Sequence, residues 1–135
     1  IFQSGDAHTI PLESESVDVV TIAFGIRNVE DYEKGLEEIY RVLKVGGKVL
    51  ILEFSMPSEG IFRTLYTWYF RKILPKVGSF ISGDKEAYHY LNQTVETFPY
   101  GLEFCKKLED YSFRRVEATS LNFGIATIYK GEKHA

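Results

Sequence analysis

Residues 41–55, Arg-Val-Leu-Lys-Val-Gly-Gly-Lys-Val-Leu-Ile-Leu-Glu-Phe-Ser, constrain the fold more than any other stretch, because a double glycine joins the end of an amphipathic pattern to an unbroken apolar run. Upstream, Tyr32, Leu36, Ile39, Tyr40 and Leu43 recur at helical spacing and predict one striped helix over about 31–44. Gly46-Gly47 reads as the left-handed stop that ends such a helix at little steric cost. Residues 49–54 then read as a strand. Before the helix, the β-rich run Val-Asp-Val-Val-Thr-Ile-Ala at 17–23 is too apolar for a one-sided strand, so it is expected to be buried on both faces and parallel to the next. Strand, helix and strand make a βαβ unit with a right-handed crossover.

Further along, 61–74 reads as an aromatic helix closed by Pro75, Asp84 as the cap of a helix over 85–97 that ends before Pro99, and 102–109 as a shorter helix. The ending differs in kind. Residues 114–121 and 125–130 alternate or run apolar on either side of Asn122-Phe123-Gly124, the spacing of an antiparallel hairpin. The expected class is therefore α/β: parallel strands layered with helices and finished by an antiparallel pair, in one domain without internal repeats.

Composition narrows the setting. With 135 residues and 44% apolar positions the chain can bury a sizeable core. A lone Cys105 forms no internal disulfide, which points to a reducing, cytoplasmic compartment. No apolar run approaches the ~20 residues needed to span a bilayer. A net charge of -3 argues against a nucleic-acid partner. The charge is uneven, since residues 60–83 carry Arg63, Arg71, Lys72 and Lys76 with no acid. The chain opens at Ile1, inside what reads as the end of a strand, and is expected to be a piece of a longer domain.

The 41–55 stretch resembles the second signature of the ubiquinone/menaquinone biosynthesis C-methyltransferases, a family of class I S-adenosylmethionine-dependent methyltransferases: Arg-Val-aliphatic-basic, a Pro or Lys, Gly-Gly, and a strand closing in Glu-x-Ser. Val45 departs from that pattern, at a position that shapes only the helix exit. Gly5-Asp6-Ala7 with Ile10-Pro11, Phe24-Gly25-Ile26-Arg27-Asn28-Val29, and Asp84-x-x-x-Tyr88-x-Tyr90-Leu91 carry the resemblance across the chain. It implies a Rossmann-like sheet lacking its first two strands and the acidic, glycine-rich loop for the methionine part of the cofactor. It also implies a lid or substrate insertion at about 56–100. The expected activity is C-methylation of a prenylated quinol by S-adenosylmethionine, with this piece alone not competent. Methylation of another small hydrophobic acceptor, or a non-catalytic membrane-interaction module, is the alternative.

By the same resemblance, Asp6 would accept the adenine amino group and the Ala7 backbone would meet the ring edge; alone, Gly-Asp-Ala is ordinary turn punctuation. Ala23 and Phe24 match positions lining the cofactor cleft. Many members carry Ser where Ala23 stands, and Phe24 reads equally as core. Arg27 and Asn28 are the expected catalytic residues, with Arg27 also at the substrate. A quinol carbon becomes nucleophilic when its neighbouring hydroxyl gives up a proton, and a guanidinium, unable to be a base near neutral pH, can lower that hydroxyl's pKa or hold a water that takes the proton. The competing account makes Arg27 a solvated loop charge. Tyr88 and Tyr90 are expected at the substrate, yet they lie about 200° apart on a helix and cannot both face it. Tyr88 shares a face with Leu91 and Val95, and His89 is read as a surface residue. No metal ligand set is expected.

The aromatic, basic segment 61–81 has the make-up of an interface-seeking helix, or of a core helix with a charged outer face. A substrate with an isoprenoid tail favours the first, a peripheral membrane surface. Finally, losing two central strands would leave one edge of the 17–23 strand unpaired, so self-association through that edge is expected, unless an amino-terminal piece or a rearranged Ile1-Phe2 covers it.

Overall fold

The computed structural model describes residues 4–57, 60–77 and 85–135, with side chains from 90 onward in the last stretch. Its elements are β1 (Val17–Ala23), a 3-10 turn (Ile26–Asn28), α1 (Tyr32–Val42), β2 (Leu43–Phe54), α2 (Ile61–Trp68), α3 (Lys85–Thr97), α4 (Leu102–Asp110), β3 (Phe113–Leu121) and β4 (Ala126–Lys133). α2 passes directly into a π-helical turn, Tyr69–Ile73. The α/β class is borne out, as are the parallel β1–β2 pair and the terminal antiparallel hairpin. Strand order is β1-β2-β4-β3, so the last strand in the chain inserts beside β2 and runs antiparallel to both of its neighbours. The cap expected at Asp84 and the orientations expected for Tyr88 and His89 lie outside the described residues, as do Ile1 and Phe2.

Two expectations need correction. β1 is not buried on both faces: Val20 and Ile22 pack on the core, whereas Val19 is 50% exposed and Thr21 and Ala23 are open to solvent. The reason is that no described element packs over its second face. The double glycine, in turn, is not the stop of α1. Asp31 caps that helix by accepting from the Lys34 amide at 3.0 Å, and the helix ends at Val42, where Leu43 turns extended while its side chain stays in the core. Gly46 takes a φ of +80°, and there the register with β1 slips from Val17↔Leu43 to Val19↔Lys48. A side chain on Gly47 would put its Cβ 2.8 Å from the Lys44 carbonyl and 3.1 Å from that of Asp18. The pair therefore builds a bulge inside a strand.

One core, formed by α1 residues such as Leu36 and Ile39, Val49 and Ile51 of β2, Phe104 and Leu108 of α4, Phe113 and Tyr129, fills the space between sheet and helices. A smaller cluster of Met56, Phe70 and Val95 holds α2 and α3 together. Asn92 supports it by donating to the Phe70 carbonyl at 2.8 Å, within the π-helical turn.

Arg41 has a structural task. It grips Glu38 through two hydrogen bonds of 2.7 and 2.8 Å and donates to the carbonyls of Ile10 and Leu12 at 2.9 Å, tying the segment before β1 to α1. Hydrogen bonding from Arg41, with help from the Ile10 amide, lowers the Glu38 carboxyl from 4.5 to about 2. A depressed carboxyl stabilises the fold above its unfolded pKa, and that contribution disappears as pH falls from 4.5 toward 2. Because the pair is partly solvated, its worth is about 1 kcal/mol. Urea unfolding across this window should show the native chain losing about that much more stability than Glu38→Gln; parallel curves would contradict the assignment.

Candidate active site

The carboxyl end of β1 and the turn into α1 gather most of the residues singled out from sequence. Ala23 ends β1, exposed and opposite Leu52. Phe24 follows with a φ of +52°, a region costly for a bulky residue, by about 1–3 kcal/mol. Its carbonyl accepts from Arg27 Nη1 at 3.2 Å and from Asn28 Nδ2 at 3.4 Å. The ring is not core; it is more than a third exposed and leans on Phe54 at 4.5 Å.

Arg27 is not a solvated loop charge. Its side chain is 8% exposed and forms an ion pair with Glu53 of β2, which is 0% exposed, and its guanidinium lies 5.1 Å from the Phe54 ring centre. Arg27 also lines a cleft of about 390 Å³ between the β1–α1 turn and the junction of α3 with α4, together with Tyr32, Thr94, Phe98, Glu103 and Lys107. Asn28 is exposed, and its Oδ1 accepts from the Tyr90 hydroxyl at 3.3 Å. Tyr90, 53% exposed, is thus the tyrosine of the Tyr88-x-Tyr90 pair whose ring is seen beside the turn.

Asp6 and Ala7 reach the same turn from the other direction in sequence. Asp6 Oδ1 accepts from the His8 amide at 2.9 Å and lies 2.8 Å from His8 Nδ1, while His8 Nε2 accepts from the Asp31 amide at 3.2 Å. Those partners place the His8 proton on Nδ1. The Ala7 carbonyl stands 3.9 Å from where a Cβ on Gly35 would project, so the loop sits directly on α1. The His8 amide holds the exposed Asp6 carboxyl below its ordinary value, keeping it an anionic acceptor.

Sequence reasoning passed over Glu53 and His8. The carboxylate stood in view inside the Glu-x-Ser signature, at a position where a buried strand alternation calls for an apolar residue. Ser55, in the same signature, donates to the Gly124 carbonyl at 2.8 Å and shares a 2.8 Å hydrogen bond with Thr127, fastening β2 to the start of β4. His8 carries no signal beyond its i+2 spacing from Asp6. Among the described residues no cluster of His, Cys, Asp and Glu could hold a metal.

This sheet, with its final strand inserted antiparallel and polar groups collected where β1 ends, defines the class I methyltransferase fold. Solved structures agree. A possible histamine N-methyltransferase from Thermotoga maritima superposes with a TM-score of 0.63 at 20% identity, over 96% of this chain and 62% of its own. Human N-acetylserotonin methyltransferase in complex with S-adenosylmethionine superposes with a TM-score of 0.61 at 20% identity, over 99% and 34%. The profile of the ubiE/COQ5 methyltransferase family matches residues 1–133, and the chain belongs to that family. The ubiquinone/menaquinone biosynthesis C-methyltransferase UbiE of Geotalea daltonii is 46% identical over 97% of this chain and 55% of its own length. The demethylmenaquinone methyltransferase of Thermus thermophilus is 43% identical over 98% and 60%. The mitochondrial 2-methoxy-6-polyprenyl-1,4-benzoquinol methylase of Rattus norvegicus is 42% identical over 96% and 39%. The chain thus spans between about four tenths and six tenths of these relatives.

Proposed function

We propose that this chain carries the acceptor side of an S-adenosylmethionine-dependent C-methyltransferase whose substrate is a prenylated quinol, a demethylmenaquinol or a ubiquinol precursor. The observation that carries the reading is Arg27: a cation sequestered from water at the end of β1, lining a cleft, in a chain whose relatives are named for quinol methylation. The residues present fit the cofactor in one respect that can be tested, since Asp6 is an exposed anionic carboxylate with Oδ2 unused by His8, suited to an exocyclic amine. Asp6 and the Ala7 backbone would hold the adenine, and Ala23 and Phe24 would border it. When bound, S-adenosylmethionine supplies an electrophilic methyl group to the ring carbon.

The chain's own contribution is to make that carbon nucleophilic and to aim it. Arg27 lowers the pKa of the quinol hydroxyl, or orients a water that takes its proton. Asn28 and Tyr90, already bonded to each other, offer an amide and a phenol to a second ring oxygen. Tyr88 belongs to the same reading through the motif. Holding donor and acceptor in line is worth up to ~7–11 kcal/mol of the barrier. Helices α2 and α3, with their separate small core, serve as the lid.

A location at a membrane follows from α2. Leu65, Trp68 and Tyr69 are exposed, Trp68 at 59%, on a segment whose charges at Arg63, Arg71, Lys72 and Lys76 are all positive. Among the described residues no helix is long and apolar enough to cross a bilayer. We place the protein in the cytoplasm, peripheral on an anionic surface, where a tailed quinol resides. Sedimentation with vesicles containing anionic lipid should retain the protein, and Trp68→Ala with Lys72→Glu should release it. The outer edge of β1 supports self-association, since no described strand pairs with it.

The reading is tested by incubating a full-length family member that carries this chain with labelled S-adenosylmethionine and a short-chain demethylmenaquinol, then locating the label by mass spectrometry. Methyl on ring carbon supports it. Methyl on oxygen, or on an unrelated hydrophobic acceptor in preference to the quinol, sinks it.

A further inference from the structure

We infer that Glu53 is a positioning residue for Arg27, holding the guanidinium by its Nη1 edge and tempering its charge; the inference rests on the quinol reading above. Along β2 the side chains of Val49, Ile51, Glu53 and Ser55 fall on one buried face, and the carboxylate occupies a place where the alternation calls for an apolar side chain. Such a group costs stability unless its hydrogen bonds are satisfied. Glu53 Oε1 takes Arg27 Nη1 and the Phe54 amide, the latter at 2.9 Å, while among the described residues neither Oε2 nor Arg27 Nε has a partner. A buried ion pair is weak at stabilising, so its cost calls for another role.

What the arrangement does secure is orientation. Nη1 is bound twice, to Glu53 and to the Phe24 carbonyl, with the Phe54 ring beneath, so the fork cannot swing. Among the described residues Nη2 takes no protein partner, and Arg27 borders the cleft. Glu53 itself is shut off from that cleft, being 0% exposed, and acts only through Arg27. Its negative charge behind the guanidinium weakens the field felt by a hydroxyl in front.

Three variants separate aim from charge. Glu53→Gln keeps an acceptor for Nη1 but removes the charge, so the midpoint at which a bound phenol ionises should move down by about one pH unit. The probe is 4-nitrophenol, whose phenolate absorbs in the visible, titrated with wild type, Glu53→Gln and Arg27→Ala, each checked for fold by circular dichroism. Glu53→Asp keeps the charge but withdraws it by a methylene, and in a full-length family member carrying this chain should lower kcat tenfold or more with KM for the quinol changed less than threefold. A titration of Glu53→Gln indistinguishable from wild type, or one that Arg27→Ala leaves untouched, overturns the inference. Wild-type kcat in Glu53→Asp overturns it also. If a full-length family member carrying this chain methylates no quinol while the phenol midpoint still shifts as stated, the quinol reading fails and the role of Glu53 stands.

Discussion

Replacing Arg27 with Met alone should destabilise the fold by about 3–5 kcal/mol, and adding Glu53→Leu should recover most of that loss. The single change leaves a carboxylate that is 0% exposed and, among the described residues, without a counter-ion or a partner for Oε2. The double change puts two apolar side chains where Phe54, Phe24 and the apolar face of β2 can pack against them. Chemical denaturation of the four corners of this cycle measures the coupling directly. Near-additive costs would mean that the two groups do not depend on each other, and would remove the basis for treating them as a unit. The well-folded double variant should at the same time have lost the cation to which acceptor activation is assigned in the proposed function. Stability and activity would then part company, as expected of a charge kept for function.

Phe104→Ala should be as costly, about 3–5 kcal/mol, lowering the unfolding temperature by roughly 10–20 °C. Phe104 is fully buried, with Tyr129 edge-on at 4.8 Å, Phe98 at 5.2 Å and Tyr32 at 6.5 Å. Those rings join α4 to the sheet, to the end of α3 and to α1, so truncation opens a cavity bordered by three elements that cannot all close on it. Tyr32 and Phe98 also line the Arg27 cleft, so the same change should loosen acceptor binding. Phe104→Leu retains most of the volume and should cost less than half as much. Equal melting temperatures for the Ala variant and the native chain would show that the cluster is not the centre of the core.

Much of the architecture was legible because it is written in local periodicity. The 3.6-residue stripe of α1, the alternation in β3 and the turn residues at 122–124 each report a nearby backbone preference, and the elements appeared where those patterns lie. Prediction failed where a residue's meaning depends on a distant partner. Gly46-Gly47 has the chemistry of a helix stop and also that of a strand bulge; pairing with Val17 and Val19 decides for the second. The apolar content of β1 is real, but which of its faces is covered depends on what packs over the sheet.

The site divides the same way. Arg27 and Asn28 could be picked out because their short motif follows a strand, Asp6 because Gly5-Asp6-Ala7 matches the family motif, and the family follows from the motifs alone. The amino-acid sequence by itself thus determined the class of fold, the family and the segment in which the candidate site was sought. Only the tertiary structure decided that Arg27 is buried rather than solvated, that Glu53, 26 residues away, is its partner, and that Tyr90 meets Asn28 across 62 residues. The physical reason is that propensity acts over a few residues, whereas the burial and pairing of a charge are set by strand register, which brings the end of β2 beside the turn that leaves β1.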